Sequence, residues 1–199
     1  EIRVGCIGCG TIATGYGDAP GGHLKSLVDT PELVPWAVAD VREEAAQRAL
    51  TLSGAEYCTT DPDRVLGDPD VDLVLVCTHH DSHRDLCVRA AQAGKHIFVW
   101  KPLALTLEGC REVEAAVAEA GVTLMVGFRF RYAGAVVRAK ETIPDPQITV
   151  GQIMDNRWGD KLWAQDSVKG GGNVASQGCH ILDLVCWLNP SRVRVRTRR

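Results

Sequence analysis

Short apolar runs alternate with segments of helical spacing over the first part of the chain. The apolar runs predict strands at Ile2–Ile7, Val34–Ala39, Val71–Cys77, Ile97–Val99 and Val122–Val126. The segments between them predict helices over Leu24–Asp29, Glu43–Leu52, Ser82–Ala93 and Thr106–Ala120. Strands separated by helices of about ten residues form right-handed βαβ units, so the sequence predicts an α/β fold with a doubly wound parallel sheet.

The pattern changes after Gly127. Pro144-Asp145-Pro146 interrupts the chain, and the residues that follow predict a strand over Ile148–Arg157. Gly170-Gly171-Gly172 then precedes a helix predicted from about Val174 to Leu188. We therefore predict two domains, one over residues 1–126 that contains the parallel sheet and a second over residues 127–199.

The turn after the first strand carries a glycine pattern. Residues 8–13 read Gly-Cys-Gly-Thr-Ile-Ala and fit G-x-G-x-x-G/A. Gly8 allows the tight turn and Gly10 lets the backbone approach a pyrophosphate, while the N–H groups at the helix start, Thr11 and Ile12, face the anion. An ordinary glycine-rich turn is the alternative, but the flanking strand and the βαβ order favour a dinucleotide-binding Rossmann domain.

Asp40 ends the second predicted strand. A carboxylate there can accept hydrogen bonds from both ribose hydroxyls of NAD and would repel the 2′-phosphate of NADP, so NAD is the expected cofactor. Asp40 follows Gly8 by 32 positions, against a usual spacing of about 20, and Tyr16–Gly22 accounts for the excess as a loop insertion. Arg42 keeps NADP open as the less favoured cofactor. Capping of the next helix is a second role for Asp40, compatible with the first.

Composition and charge exclude several classes of partner. The 199 residues carry a net charge of −3, which gives no general attraction to nucleic acid or anionic membranes. No apolar stretch reaches the ~18–20 residues of a membrane span, and the start lacks a signal-peptide layout. The basic run from Arg192 to Arg199 alternates with valines and predicts one exposed strand face, with a nucleic-acid-binding arm as the alternative.

The eight cysteines mostly lie in apolar runs, which is typical of buried thiols in a reducing cytoplasm. We expect a cytoplasmic protein. Cys6 and Cys9 have the spacing of a redox or zinc pair, but no second pair accompanies them, so that role is the weaker interpretation. Four histidines, at positions 79, 80, 83 and 96, are too scattered to define a metal site, and we predict no bound metal.

Four further segments carry motifs that occur together in one family. Val76–His83 precedes Ala93–Ala104, which contains Ala-Gly-Lys-His and ends in Trp-Lys-Pro-Leu-Ala. Gly127–Tyr132 reads Gly-Phe-Arg-Phe-Arg-Tyr, and Gly170–Asp183 contains three glycines followed by His-x-x-Asp. In this order the segments resemble the glucose–fructose oxidoreductase/inositol dehydrogenase (Gfo/Idh/MocA) family, over nearly the whole chain.

The resemblance implies NAD(P)-dependent oxidation of a sugar, cyclitol or similar polyol. It implies a second α/β domain whose mostly antiparallel sheet walls the substrate site and often forms a dimer contact, so a homo-oligomer is a possible state. Lys101 matches the family's catalytic lysine and His180 its catalytic histidine, while Thr78, His83 and Lys101 fall in segments near the cofactor. Asp183 and Arg129 are candidate substrate contacts, and Lys101-Pro102 a candidate cis peptide.

Three departures from the family pattern bear on activity. Trp100 replaces the glutamate of Glu-Lys-Pro, and Ser176 stands where many members have an aspartate. The chain also stops at Arg199, where such proteins commonly continue, so it is either a fragment or a reduced relative. We expect Ser176 to hold His180 or a sugar hydroxyl, since residues four apart share one helix face, but serine supplies no negative charge to stabilise an imidazolium.

The proposed chemistry assigns one role to each candidate. His180 is a suitable general base because the ordinary pKa of histidine, about 6.5, lies near working pH, and Lys101 can stabilise alkoxide character on the substrate. The structural alternatives are a solvated loop lysine, a histidine of the core, solvated arginines at Arg129 and Arg131, and an Asp183 that pairs within the fold. The functional alternatives are a catalytically weak NAD-binding sensor or scaffold, or an NAD-dependent glycosidase.

Overall fold

The computed structural model describes residues 1–15, 21–154 and 163–189, and its contacts divide the chain into units Glu1–Gly127 and Phe128–Arg199. The first unit alternates strands with helices. Its strands are β1 (Ile2–Ile7), β2 (Leu33–Ala39), β3 (Tyr57–Thr59), β4 (Leu73–Val76), β5 (His96–Val99) and β6 (Leu124–Val126). Its helices are α1 (Thr11–Thr14), α2 (Gly22–Val28), α3 (Glu43–Ser53), α4 (Pro62–Leu66), α5 (His80–Gln92) and α6 (Leu107–Ala120).

The six strands form one parallel sheet in the order β3-β2-β1-β4-β5-β6, which confirms the predicted fold class. The chain first runs outward from β1 to β3 and then returns to β4 on the other side of β1. At this switch point, Ile7 at the end of β1 pairs with Ala39 of β2 and Val76 of β4. The residues that follow these strands, including Gly8 and Asp40, therefore gather at the edge where doubly wound sheets bind ligands.

Apolar side chains cover both faces of the sheet. One core cluster includes Val74, Val76 and Val99, and a second includes Val4 and Val38, all at most 2% exposed. A parallel sheet buried on both faces has strands without polar alternation, which explains the continuous apolar runs of the sequence.

A polar cluster lies at the opposite, amino-terminal edge of the sheet. The buried Lys95, from the Ala-Gly-Lys-His motif, donates from Nζ to the carbonyl oxygens of Asp68 at 2.6 Å and Val71 at 2.7 Å. The Asp68 carboxylate accepts from the Tyr57 hydroxyl at 2.8 Å and Trp36 Nε1 at 3.1 Å. Burial alone would raise the pKa of Asp68, but these bonds and one from a backbone N–H bring it below its ordinary value. The motif lysine therefore supports the fold, away from the switch point.

The second unit is helical in its described part. A 3₁₀ turn at Arg129–Tyr132 leads into α7 (Gly134–Thr142), and a second 3₁₀ turn lies at Trp163–Gln165. The helix predicted from Val174 to Leu188 is present, as a π-helix at Val174–Gly178 followed by α8 (Cys179–Leu188).

The strand predicted over Ile148–Arg157 is wrong for residues 148–154, the part of it that the structure describes. Ile148 and Val150 are 82% and 84% exposed, and an apolar, β-branched pattern gives no strand without a neighbouring backbone to pair with. Gly151 instead lies against α8, where a Cβ would stand 2.5 Å from Ile181 and 2.7 Å from Val185.

Some predictions fall outside the described residues. These are residues 16–20 of the insertion, the end of the strand predicted up to Arg157, and the arginine run from Arg192. Gly22, assigned to the insertion, begins α2. Among the described residues, no helix has the length and apolar character needed to cross a membrane.

Candidate functional site

The turn after β1 separates the roles of its two glycines. Gly8 has a φ of +94°, and a Cβ there would lie 2.6 Å from the carbonyl carbon of Cys77. The fold itself therefore requires glycine at this position. Gly10 has an ordinary φ of −75°, and a Cβ there would meet no atom of residues 1–15, 21–154 and 163–189 within 4 Å. The described residues give no steric reason for glycine at position 10, whereas the close approach of a pyrophosphate does.

The short helix α1 begins directly behind Gly10. The Gly10 carbonyl accepts from the N–H groups of Ala13 and Thr14, each at 2.9 Å. Among the described residues, the N–H groups of Thr11 and Ile12 have no acceptor, because they lie in the first turn. Both residues are exposed, so their N–H groups fit an anion at the mouth of the turn.

Asp40 lies beside the same turn with its side chain only 10% exposed. One carboxylate oxygen accepts from the N–H of Cys9 at 2.9 Å, and the other from the N–H of Arg42 at 2.9 Å. Arg42 is the N-cap residue of α3, which has no side-chain cap, so Asp40 does not cap that helix in the expected way. Instead, it links the glycine turn to the segment before α3. The Arg42 side chain is 70% exposed, with Nε 3.4 Å from Asp40.

Thr78 follows β4 and is half-buried at the same edge of the sheet. Its hydroxyl accepts from Ser82 Oγ at 2.7 Å and donates to the His79 carbonyl at 3.3 Å. Its carbonyl oxygen faces the imidazole of His83, which has no exposed surface. Both Thr78 and His83 were expected near the cofactor, and of this pair Thr78 is partly accessible while His83 is not.

Lys101 follows β5, and the Lys101-Pro102 peptide is cis, as the resemblance implies. Lys101 is 6% exposed, so the alternative of a solvated loop lysine is wrong. Its Nζ lies 5.8 Å from the centroid of the Trp100 ring. Trp100 in turn contacts the ring of His23, at a centroid distance of 4.7 Å. His23 was not among the predicted site residues, because the glycine pattern carries no signal for a residue beyond the insertion.

In the second unit, His180 is 4% exposed and lies at the start of α8. Its ring is 4.8 Å from the Phe130 ring and 6.1 Å from the Phe128 ring, between centroids. Ser176, four residues earlier, is 5% exposed. It lies in the π-helical turn, whose wider winding shifts the face expected from α-helical spacing.

Asp183 forms an ion pair with Arg131 through both carboxylate oxygens. The Asp183 side chain is 7% exposed, and this pairing raises the pKa of Arg131. Arg131 is therefore not the solvated surface charge that we expected. Arg129 is exposed, with its guanidinium 5.1 Å from the centroid of the Phe130 ring. Substrate contacts by Asp183 and Arg129 stay predictions.

Cys6, in β1, and Cys9, in the glycine turn, are buried free thiols. Hydrogen bonding with Cys77 raises the pKa of Cys6 against an opposing contact from Cys9, and burial raises it further. Hydrogen bonding with Cys6 and burial raise the pKa of Cys9. Thiols of raised pKa stay protonated and react slowly, so this geometry favours packing over redox chemistry. Over the described ranges, no group of three potential ligands is arranged to hold a metal ion.

Together, the sheet order, the glycine turn and the placement of Asp40 define an NAD(P)-binding Rossmann domain. A family model described as "Oxidoreductase family, NAD-binding Rossmann fold" matches residues 2–128. The chain belongs to this Gfo/Idh/MocA family of oxidoreductases.

Relatives with assigned activities share this domain. The chain is 33% identical over 147 residues to a myo-inositol 2-dehydrogenase of Thermotoga maritima, a match covering 74% of the chain and 42% of the relative. It is 30% identical over 202 residues to a levoglucosan dehydrogenase of Pseudarthrobacter phenanthrenivorans, covering 94% and 51%. A solved levoglucosan dehydrogenase in complex with NADH and L-sorbose superposes with a TM-score of 0.79 at 25% identity, covering 95% and 53%. The chain thus spans about half the length of the relatives it matches.

Proposed function

We propose that the protein is an NAD(P)-dependent dehydrogenase that oxidises a CH–OH group of a sugar, cyclitol or related polyol, with NAD preferred over NADP. The observation that carries this proposal is the anchored Asp40 carboxylate, 2.9 Å from the N–H of Cys9 and beside an open Gly10. This arrangement offers a carboxylate to a ribose next to N–H groups for a pyrophosphate. We assign dinucleotide binding to residues 1–126 and part of the substrate domain to residues 127–199.

The described residues of the turn and the adjoining strand ends would hold the dinucleotide. The N–H groups of Thr11 and Ile12 would bind the pyrophosphate, which approaches over Gly8 and Gly10. Asp40 would bind the adenosine ribose. Thr78 and Lys101 follow neighbouring strands of the sheet and would lie along the same bound molecule. When bound, the nicotinamide exchanges a hydride with the substrate carbon.

Lys101 and His180 are the residues proposed to interact with the substrate hydroxyl. The buried Lys101 ammonium would donate a hydrogen bond to the hydroxyl oxygen and stabilise negative charge that develops there. His180 would accept the hydroxyl proton as general base. The aromatic rings of Phe128 and Phe130 limit the positions its imidazole can take. Two relatives are named for inositol and levoglucosan, which supports a polyhydroxylated substrate.

Incubation of the purified chain with NAD and a panel of inositols, anhydrosugars and aldoses tests this proposal. Formation of NADH, followed by its absorbance, is the expected result with at least one substrate. The Lys101→Met variant serves as the control, since it should still bind NAD but form no NADH. A fully active Lys101→Met variant would exclude the lysine from the mechanism.

Ser176 supports a second candidate, an NAD-binding protein with little or no turnover. It is buried four residues before His180 and carries no charge to stabilise a protonated imidazole. Tight NAD binding without NADH formation on any substrate would favour this candidate. Cleavage of a glycoside that depends on catalytic NAD would instead favour the glycosidase alternative.

A further inference from the structure

His83 lies in the first turn of α5 and is fully buried. Its Nδ1 lies 2.6 Å from the carbonyl oxygen of Pro102, and its Nε2 lies 3.1 Å from the carbonyl oxygen of Thr78. Both ring nitrogens therefore face backbone oxygens. A side chain enclosed in this way does not contact a dinucleotide directly, so its role must differ from the cofactor contact expected from the sequence.

The charge state of His83 decides which oxygen receives a hydrogen bond. Burial lowers the pKa of His83, and the nearby charge of Lys101 lowers it further, against the opposing effect of the two carbonyl groups. A neutral imidazole has a single N–H. Because two lone pairs facing each other at 2.6 Å repel strongly, the proton belongs on Nδ1, where the contact is shorter.

The acceptor of this bond is the residue directly after Lys101. Pro102 is itself buried, and buried carbonyl groups are almost always paired with a donor. We propose that His83 is a positioning residue for Lys101. The hydrogen bond from its Nδ1–H to the Pro102 carbonyl oxygen ties the backbone next to Lys101 to helix α5. The function assigned to Lys101 rests on the proposed dehydrogenase activity, whereas the placement of its backbone does not.

The first test uses the unmodified chain. With ¹⁵N-labelled histidine, the two ring nitrogens of His83 give distinct NMR shifts for their protonated and unprotonated forms. We expect a neutral ring at neutral pH with the proton on Nδ1. A proton on Nε2, which would direct the bond to Thr78, would overturn the proposal without any substitution.

The second test uses two variants that each retain one of the two contacts. The amide of asparagine places its nitrogen near the position of Nδ1, and that of glutamine places it near Nε2. His83→Asn should therefore keep the bond to Pro102, and His83→Gln should lose it. The readout is the rate at which an amine-acylating reagent modifies Lys101, measured by mass spectrometry relative to Lys25, whose side chain is 55% exposed.

We expect His83→Gln to raise the relative labelling rate of Lys101 several-fold and His83→Asn to leave it near the wild-type value. Cys87→Ala is the matched control, since Cys87 is fully buried one turn later on α5 and its loss should lower stability without moving Lys101. Equal labelling in His83→Gln and wild type, or an equal rise in Cys87→Ala, would contradict the proposal. If His83→Gln does not fold, faster labelling of Lys101 in a folded His83→Asn variant would contradict the proposal, because His83→Asn should keep the bond to Pro102.

These measurements need neither cofactor nor substrate. An inactive chain that shows the expected labelling would refute the dehydrogenase proposal and keep the positioning role. An active chain in which His83→Gln leaves the labelling rate of Lys101 unchanged would support the dehydrogenase proposal and refute the positioning role.

Discussion

Asp40 combines a structural and a proposed binding role in a single carboxylate. Its two oxygens accept from backbone N–H groups on either side, at Cys9 and Arg42. The oxygen that accepts from Cys9 retains a further lone pair for a hydroxyl donor, whereas the oxygen that accepts from the Arg42 N–H also lies 3.4 Å from Arg42 Nε. The hydrogen bonds that orient the carboxylate therefore prepare it for a ribose without using up its capacity.

Asp40→Ala should weaken NAD binding about 10- to 100-fold, the equivalent of losing ~1.5–3 kcal/mol of charge-assisted hydrogen bonding. Affinity for NADP should fall less, because the repulsion of its 2′-phosphate is lost as well. Calorimetric titration with both cofactors measures the change. Asp29→Ala is the control, since Asp29 forms an exposed ion pair with Lys25 at the end of α2. Unchanged affinity for both cofactors would refute the assignment of Asp40.

Ser176 gives a residue-scale prediction in the second unit. Ser176→Asp should raise kcat at least about tenfold, a part of the ~10²–10⁴ that general acid–base groups contribute. The reason is that a carboxylate would stabilise the His180 imidazolium formed when the substrate loses its proton. Ser176→Asn, of similar shape but uncharged, is the control. Steady-state NADH formation with the three proteins would show the effect, and equal rates for Asp and Asn would argue against a role for charge.

At the scale of elements, the turn between β1 and α1 has two glycines with separable functions. Gly8→Ala should lower the free energy of unfolding by at least about 2 kcal/mol, because it places a Cβ at positive φ and against the backbone of Cys77. Gly10→Ala should leave stability nearly unchanged and weaken NAD binding, because its Cβ would touch no described residue and would stand where the pyrophosphate approaches the turn. Urea unfolding measures the stability of both variants and calorimetry measures their NAD affinity, so each variant is the control for the other. Normal NAD affinity in Gly10→Ala would show that the pyrophosphate does not approach the backbone at Gly10.

The longest helices were predictable from the sequence, whereas α4, α7 and the short strand β3 were not. The helix predicted over Thr106–Ala120 exists as α6, with Thr106 as its N-cap and Gly121 as its C-cap. The helical periodicity has no room to develop in the five residues of α4, and the three residues of β3 are too few to show the alternation or apolar run of a strand. For α4 a local signal existed, because Asp61 accepts from the N–H of Asp63 and precedes a proline, as helix starts commonly do.

The candidate site was predictable where a motif fixes a backbone position, and not where the partner is distant in sequence. The glycine turn and Asp40 follow from strand ends that the fold must bring together. In contrast, Arg131 and Asp183 are 52 positions apart, and no periodicity relates them. Periodicity likewise does not predict the contact between His83, in α5, and Pro102, which follows β5.

The amino-terminal edge of the sheet gives a prediction for the Ala-Gly-Lys-His motif. Lys95→Met should lower the free energy of unfolding by about 2–3 kcal/mol, because it leaves the carbonyl groups of Asp68 and Val71 without their donor. Urea denaturation followed by tryptophan fluorescence measures the loss. Lys25→Met, on the surface, should stay within about 0.5 kcal/mol of wild type. A similarly small effect for Lys95→Met would show that water or a neighbouring group replaces the ammonium.

At the scale of the whole molecule, the candidate residues divide between the two units. Every residue proposed to bind the dinucleotide lies within Glu1–Gly127, and so do all six strands of the parallel sheet. His180, Ser176, Asp183 and Arg129 lie in the second unit. We therefore expect truncation after the first unit to separate cofactor binding from the proposed general base and substrate contacts, although Lys101 stays with the first unit.

A chain of residues 1–127 should fold and bind NAD within about threefold of the affinity of the 199-residue chain, while forming no NADH with any substrate. The reason is that the sheet, both core clusters and the switch-point residues belong to the first unit, and a domain with its own core folds independently. Circular dichroism during thermal unfolding and calorimetry with NAD test both halves of this expectation, with Asp40→Ala in the short chain as the control. A short chain that unfolds cooperatively yet has lost NAD affinity would show that residues after Gly127 contribute to the cofactor site.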